Sequence, residues 1–337
     1  MMKTKRTFSI LLVLCLTMAM FTACGNKNEG GKDAPADASG ALKKIGVIQL
    51  VEHNALDQSY QGFVDGLKEA GYEDGKNIKI DLQNAQGEQS NCETIASKLV
   101  NDKSDMILAI ATPAAQAVAA KTKDIPVLVT AVTDPASSGL VKSNEAPGGN
   151  ISGTSDLTPV KEQIELLTQI LPDAKKIAIL YCSAEDNSIF QAGIAKTEAE
   201  AAGLEWEEAT VSNTNEVQSV VQSLVGKVDA IYIPTDNMLA KAMTTVTMVA
   251  NENNLPCIVG EAGMVENGGL ATYGINYYNL GKMTAKQAVD ILEGKATTTD
   301  MPIGYLSAEE CELKINTETA TQLGITIPQE LLDKVAK

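Results

Sequence analysis

Short apolar runs alternate with amphipathic stretches from about residue 43 onward. Ile45 to Leu50 reads as a buried strand, and YQGFVDGLKEAGY after it carries a helical period. NIKIDLQNA precedes SNCETIASKLVNDK, and DMILAIAT precedes PAAQAVAAKTKD and then IPVLVTAV. Strands that alternate with helices build right-handed βαβ units and a parallel sheet.

The pattern then restarts. KKIGVI (43–48) is matched by KKIAIL (175–180) at an offset of 132, and IPVLVTAV (125–132) by LPCIVGEA (255–262) at 130. SDMILAIATPAAQ (104–116) is matched by VDAIYIPTDNMLA (228–240) at 124. A kept order with a drifting offset predicts two α/β lobes, each a doubly wound parallel sheet. The Gly-, Ser- and Pro-rich stretch 148–163 marks the boundary, with a new helix beginning at Pro159. A strand and helix over GGLATYGINYYNLGKMTAKQAVDILEGK have no counterpart in the second lobe and can return to the first. Three hinge crossovers are expected, near 153–157, 272–277 and 302–308. Lobe 1 is then 43–154 plus 276–303, and lobe 2 is 155–275 plus 304–337.

Ligands of open α/β sheets sit beyond the carboxyl ends of the strands. Two facing lobes therefore make a cleft lined by strand-end loops. Those loops are VEHNALD (51–57), IATPAAQ (110–116), TAVTDP (130–135), YCSAEDNSI (181–189), IPTDN (233–237) and VGEAGM (259–264). They supply Glu52, His53, Leu56, Thr112, Pro113, Ala114, Asp134, Asn187, Thr235, Asp236, Asn237 and Glu261 as candidate ligand contacts. Thr112 suits an N-cap and Pro113 the first helical position, which would aim free N–H groups into the cleft. Asp236 fits both a cap of a helix over Asn237–Ala250 and a ligand contact. Asp134, before Pro135, fits a turn opener equally well. Of Tyr277 and Tyr278 at the second crossover, one is expected in the hinge and one at the ligand.

Composition narrows the chemistry. Lys3, Lys5 and Arg6 precede an apolar run over Phe8–Phe21, too short to span a bilayer, as in a secretory signal over 1–23. Phe21-Thr22-Ala23-Cys24 resembles a bacterial lipobox, which implies cleavage before Cys24 and lipid on its sulfur. Residues 24–42, rich in Gly, Ala and Asp, read as a tether. Loss of the leader leaves 314 of the 337 residues and takes the formal charge from −16 to −19. So acidic a chain argues against nucleic acid and against anionic lipid. Arg6 is the only arginine, so the mature chain has no guanidinium to clamp an anion. Cys92, Cys182, Cys257 and Cys311 are far apart with no metal-ligand spacing, and neither metal, cofactor nor disulfide is expected.

His53 is the only histidine. On a strand-end loop it can stack on a ligand or hydrogen-bond it, with Glu52 fixing its tautomer. No nucleophile elbow, GxGxxG or P-loop accompanies it, so no catalytic set is expected and the chain is read as a non-enzyme. A free amino acid fits this inventory. Its carboxylate would sit on helix N-termini such as Thr112–Ala115 or Asn187–Ile189, its ammonium on Asp236 or Asp134, and its side chain against Leu56 and Tyr60.

VIQLVEHNALD, NAQGE, AIATPAAQ, TAVTDP, GLVKSNEAPGGNISGTSD, VKEQIELL, VGKVDAIYIPTDN and ATYGINYYNLG occur in that order over roughly 43–330. The series resembles the ABC-transporter substrate-binding lipoproteins typified by tryptophan- and tyrosine-binding members. The resemblance implies a type I periplasmic-binding fold that closes on a free amino acid, usually aromatic (Trp, Tyr or Phe). It implies a monomer, lipid-anchored at Cys24 outside the cell membrane, that delivers the ligand to an ABC permease. Cys182 stands where a small polar residue is expected. The alternative is a sensory or adhesive surface lipoprotein with the same fold.

Overall fold

The computed structural model describes residues 42–307 and 310–335; the expected leader, Cys24 and most of the tether lie outside them. The first five strands are β1 (Lys43–Gln49), β2 (Ile78–Asn84), β3 (Met106–Ile110), β4 (Val127–Val132) and β5 (Ile151–Ser155). Helices α1 (Asn54–Glu69), α2 (Gln89–Asn101) and α3 (Thr112–Ala119) connect the first four. After α4 (Val160–Ile170) comes a second series: β6 (Lys176–Cys182), β7 (Glu205–Val211), β8 (Ala230–Ile233), β9 (Cys257–Val259) and β10 (Ala271–Ile275). Its helices are α5 (Asp186–Ala201), α6 (Val217–Leu224), α7 (Asn237–Lys241), α8 (Met243–Glu252) and α9 (Ala262–Glu266). The chain ends with α10 (Tyr277–Leu292), β11 (Gly304–Tyr305), β12 (Cys311–Ile315), α11 (Thr317–Gln322) and α12 (Gln329–Val335).

The strands form two six-stranded sheets, ordered β11-β5-β4-β3-β1-β2 and β12-β10-β9-β8-β6-β7. All pairings within them are parallel except β10 with β12. Each sheet carries helices on its faces, the type I periplasmic-binding architecture. Central strands β3, β4 and β8 are buried at every position, as parallel strands covered on both faces must be. The edge strands β2 and β7 are only sparsely buried, most of their positions being half-buried or exposed.

The chain passes between the two sheets at three places. β5 forms inside the Gly/Ser-rich stretch read as a boundary and pairs with β4, because Ile151 and the small residues around it fit a buried strand. β10 lies in the second sheet, and α10 after it returns to the first lobe. Gly304 and Tyr305, assigned from sequence to the second lobe, pair with Thr154 and Ser155 of β5 in the first. The expected helix Asn237–Ala250 is two helices, broken at Ala242; the break leaves Lys241 at the rim, where its Nζ donates to the Gln86 carbonyl at 3.0 Å.

α10 docks on α1 at backbone contact. A methyl group on Gly62 would strike the Tyr278 carbonyl, and one on Gly281 the Ser59 carbonyl. Glycine is what allows the two helices this approach. The four cysteines of the body are free, with Cys92, Cys182 and Cys257 buried. Among the described residues no helix is long and apolar enough to cross a membrane.

Candidate functional site

The carboxyl ends of both sheets converge on one narrow cavity between the lobes, with free space of about 10 Å³, room for about one water molecule. β1 and β4 bring His53, Ala55, Leu56, Ala131 and Thr133 to it, and β6, β8 and β9 bring Asn187, Thr235, Asp236, Asn237, Ala240 and Glu261. The first two crossovers add Asp156 and Tyr277. At Ala131 the register of β4 against β5 slips and φ is 53°. That irregularity is what turns Ala131 and Thr133 to the cavity.

The lobes meet around this space. His53 Nε2 lies 3.3 Å from Asn237 Oδ1. Asn54 Nδ2 donates to Glu266 at 3.1 Å and Gln116 Nε2 to Asp186 at 2.8 Å. Gln191 of α5 donates to Thr133 Oγ1 at 3.1 Å and to the Thr235 carbonyl at 3.1 Å.

Four carboxylates are buried in and beside the cavity: Asp156, Glu185, Asp236 and Glu261. No lysine is among the lining residues. Burial without a cation disfavours the charged forms. It raises Asp156 to about 6 against the Tyr277 hydroxyl, which donates to Oδ2 at 2.8 Å. Burial and then the nearby Asp236 raise Glu185 to about 7, and burial raises Glu261 to about 7. Asp236 is also raised by burial. Several oxygens and nitrogens here have no partner: Asp156 Oδ1, Glu185 Oε1, Asn187 Oδ1 and His53 Nδ1. Gathered around one cavity, these atoms are open to a water or to polar groups of a bound molecule.

The structure places the other candidates elsewhere. Glu52 is exposed and makes no bond to His53; it borders an outer groove with Lys241. α3 begins one residue early, with Ala111 at φ 81° as its cap, so Thr112 is the first helical residue and does not cap. Thr112 and Ala114 are buried and do not line the cavity, and Pro113 lines a side pocket with Cys182 and Glu185. Asp134 opens a turn, its carboxylate accepting from Ser137 N at 2.6 Å and Asn144 Nδ2 at 2.9 Å, and does not line the cavity. Tyr60 packs into the first-lobe core. Of the tyrosine pair, Tyr277 is the buried one, while Tyr278 reaches Asp65 on the outer face.

Asp236 does cap α7, through Leu239 N at 2.8 Å, and its other oxygen takes the Cys182 amide at 2.6 Å. Asp156 and Glu185 went unremarked in the sequence. Asp156 lies in SGTSD, whose composition reads as linker, and only its place on a crossover could have singled it out.

The residues 44–337 match the family model described as ABC transporter substrate binding protein. The chain belongs to the ABC transporter substrate-binding protein family. A curated relative from Clostridioides difficile strain R20291, the tyrosine-binding protein, is 44% identical over 326 residues, covering 96% of this chain and 93% of the relative. The ABC domain from Streptococcus pneumonia in complex with L-Trp is 42% identical, with a TM-score of 0.84 over 87% of this chain and 98% of that one. The ligand-free, open structure of a Clostridium difficile substrate-binding protein with adhesive properties is 46% identical, yet its TM-score is 0.66 over 85% of this chain and 96% of that one. The substrate-binding protein described here thus superposes better on a ligand complex than on a more similar but open relative. Its lobes are closed. Membership also separates it from enzymes, since the family binds its substrates rather than converting them.

Proposed function

We propose that this chain captures a free aromatic amino acid between its lobes and hands it to the permease of an ABC importer. One observation carries this reading: a closed cavity whose buried carboxylates have no cation of their own. A ligand ammonium supplies the missing charge, with the unpartnered Asp156 Oδ1 as its first acceptor and Glu261 nearby. The α-carboxylate must be held without arginine. The start of α1 suits it: His53 gives no side-chain cap there, and Ala55 and Leu56 border the cavity. The tyrosine-binding and L-Trp-bound relatives support an aromatic side chain.

Ligand that touches both lobes only when they are closed favours that form, and the permease reads the closed pair of surfaces. The working location is outside the cytoplasmic membrane, with lipid on Cys24 as the anchor. The adhesive properties of the 46%-identical relative favour a second use at a surface. Calorimetry with all twenty amino acids tests the main reading. Tyrosine, tryptophan or phenylalanine is expected to bind at micromolar Kd or below; no heat with any of the three overturns it.

A further inference from the structure

The ring of His53 is held in one tautomer. Its Nε2 faces Asn237 Oδ1 at 3.3 Å. Asn237 cannot turn its amide around, because its Nδ2 lies 2.6 Å from Glu185 Oε2. That oxygen also receives Asn187 Nδ2 at 3.2 Å and the Asn237 backbone N–H at 3.4 Å, so a proton on Glu185 belongs on the partnerless Oε1, and Oε2 stays an acceptor. The Asn237 carbonyl oxygen must therefore face the imidazole, and Nε2 must carry the hydrogen. Nδ1 is left as a bare lone pair. It is buried and has no partner, in a ring that lines the cavity with Ala55, Leu56 and Ala240. Burial also keeps the imidazole neutral, with a pKa of about 4.

Resting on the aromatic amino-acid reading above, we infer that His53 Nδ1 accepts a hydrogen bond from a donor on the ligand's ring. The phenol of tyrosine and the indole N–H of tryptophan provide one; the ring of phenylalanine does not. The ligand ammonium does not compete for this atom, since a carboxylate is the stronger acceptor for a cation and Asp156 Oδ1 stands free in the same cavity. A neutral lone pair is what remains for a neutral donor. His53 is then a specificity residue. It disfavours phenylalanine because that ligand would bury Nδ1 without a partner, a mismatch that weakens binding about 5- to 100-fold.

Because the chain has a single histidine, nitrogen NMR reads this ring alone when the protein is made without a histidine tag. The free protein should give a protonated Nε2 and an unprotonated Nδ1. Tyrosine or tryptophan should move the Nδ1 resonance to lower frequency, as accepting a hydrogen bond does, and phenylalanine should not. Calorimetry should place phenylalanine about 5- to 100-fold weaker than the other two. The gap should close in His53→Phe, with a thermal melt to show that the variant folds.

Equal affinity for all three ligands, or a gap that persists in His53→Phe, overturns the inference and leaves the aromatic reading standing. An Nδ1 shift with phenylalanine as well assigns the atom to the ammonium and also overturns it. If none of the three binds, the aromatic reading falls and takes this inference with it.

Discussion

The Tyr277 hydroxyl donates to Asp156 Oδ2 at 2.8 Å, joining the first crossover between the lobes to the second. Both residues line the cavity, so hinge and cavity share a hydrogen bond. Tyr277→Phe removes a donor that favours the charged carboxylate, and Asp156 should rise above its present value of about 6. Binding at neutral pH should weaken by about 0.5–1.5 kcal/mol, as one hydrogen bond is lost. Calorimetry across pH checks this, and an unchanged pH profile would sever Tyr277 from the site.

Asp156→Ala goes further, since it removes the proposed ammonium partner. Affinity for the aromatic ligand should drop by about 2–5 kcal/mol, the range for truncating one member of a buried charged pair. Titration calorimetry measures it, with unchanged affinity as the refuting result. The fold should tolerate the change better than it tolerates the charge, because an unpaired buried carboxylate is lost.

Asp236 should behave differently. Both its oxygens serve backbone amides, Leu239 N and Cys182 N. Asp236→Ala therefore strips a cap, costing about 0.5–2 kcal/mol, and strands a buried donor at about 1–3 kcal/mol more. The loss should appear in denaturant unfolding without ligand. Asp236→Asn, which keeps an acceptor for the cap, should lose less.

Ligand binding should release protons near neutral pH. The folded pKa values of Asp156, Glu185 and Glu261 lie above their ordinary 3.8 and 4.5, at about 6, 7 and 7. Their contribution to apo stability is complete below those ordinary values and is lost as pH rises through about 6–7. An arriving ammonium lowers the pKa of the carboxylates it meets, so affinity should rise with pH across that window. Calorimetry in two buffers of different ionisation enthalpy at about pH 6.5 should show the release, and at about pH 8.5 it should vanish. Equal heats in both buffers at the lower pH contradict the assignment.

The contact between α1 and α10 predicts opposite outcomes for two glycines. Gly62→Ala pushes a methyl into the Tyr278 carbonyl and should cost about 1–3 kcal/mol or more. Gly193→Ala, at an exposed position of α5 with nothing near its added carbon, should gain about 0.5–1 kcal/mol. Chemical denaturation of both variants makes the comparison.

Apolar runs announced the strands because a parallel sheet buried on both faces leaves polar residues no place along them, as in β3 and β4. The strand-end rule then located His53, Asn187, Asp236 and Glu261, since topology alone puts such loops at the mouth of the sheet. It could not tell which way each loop turns. Pro113 and Asp134 obey the same rule, yet α3 starts a residue early and Asp134 closes on its own turn. Asp156 stayed hidden for the opposite reason: small flexible residues surround it, and its burial is decided by Tyr277, more than a hundred residues away.

α10 is made after most of the second lobe, yet its partner α1 is the first helix of the described residues. A ribosome has therefore emitted most of the polypeptide before the first lobe can complete itself. Any fragment ending before residue 277 leaves the Ser59, Gly62 and Phe63 face of α1 bare, an adhesive stripe awaiting a helix that never arrives. Such a chain is better kept unfolded until it is whole, which makes passage across a membrane as an extended thread a natural prelude to its assembly.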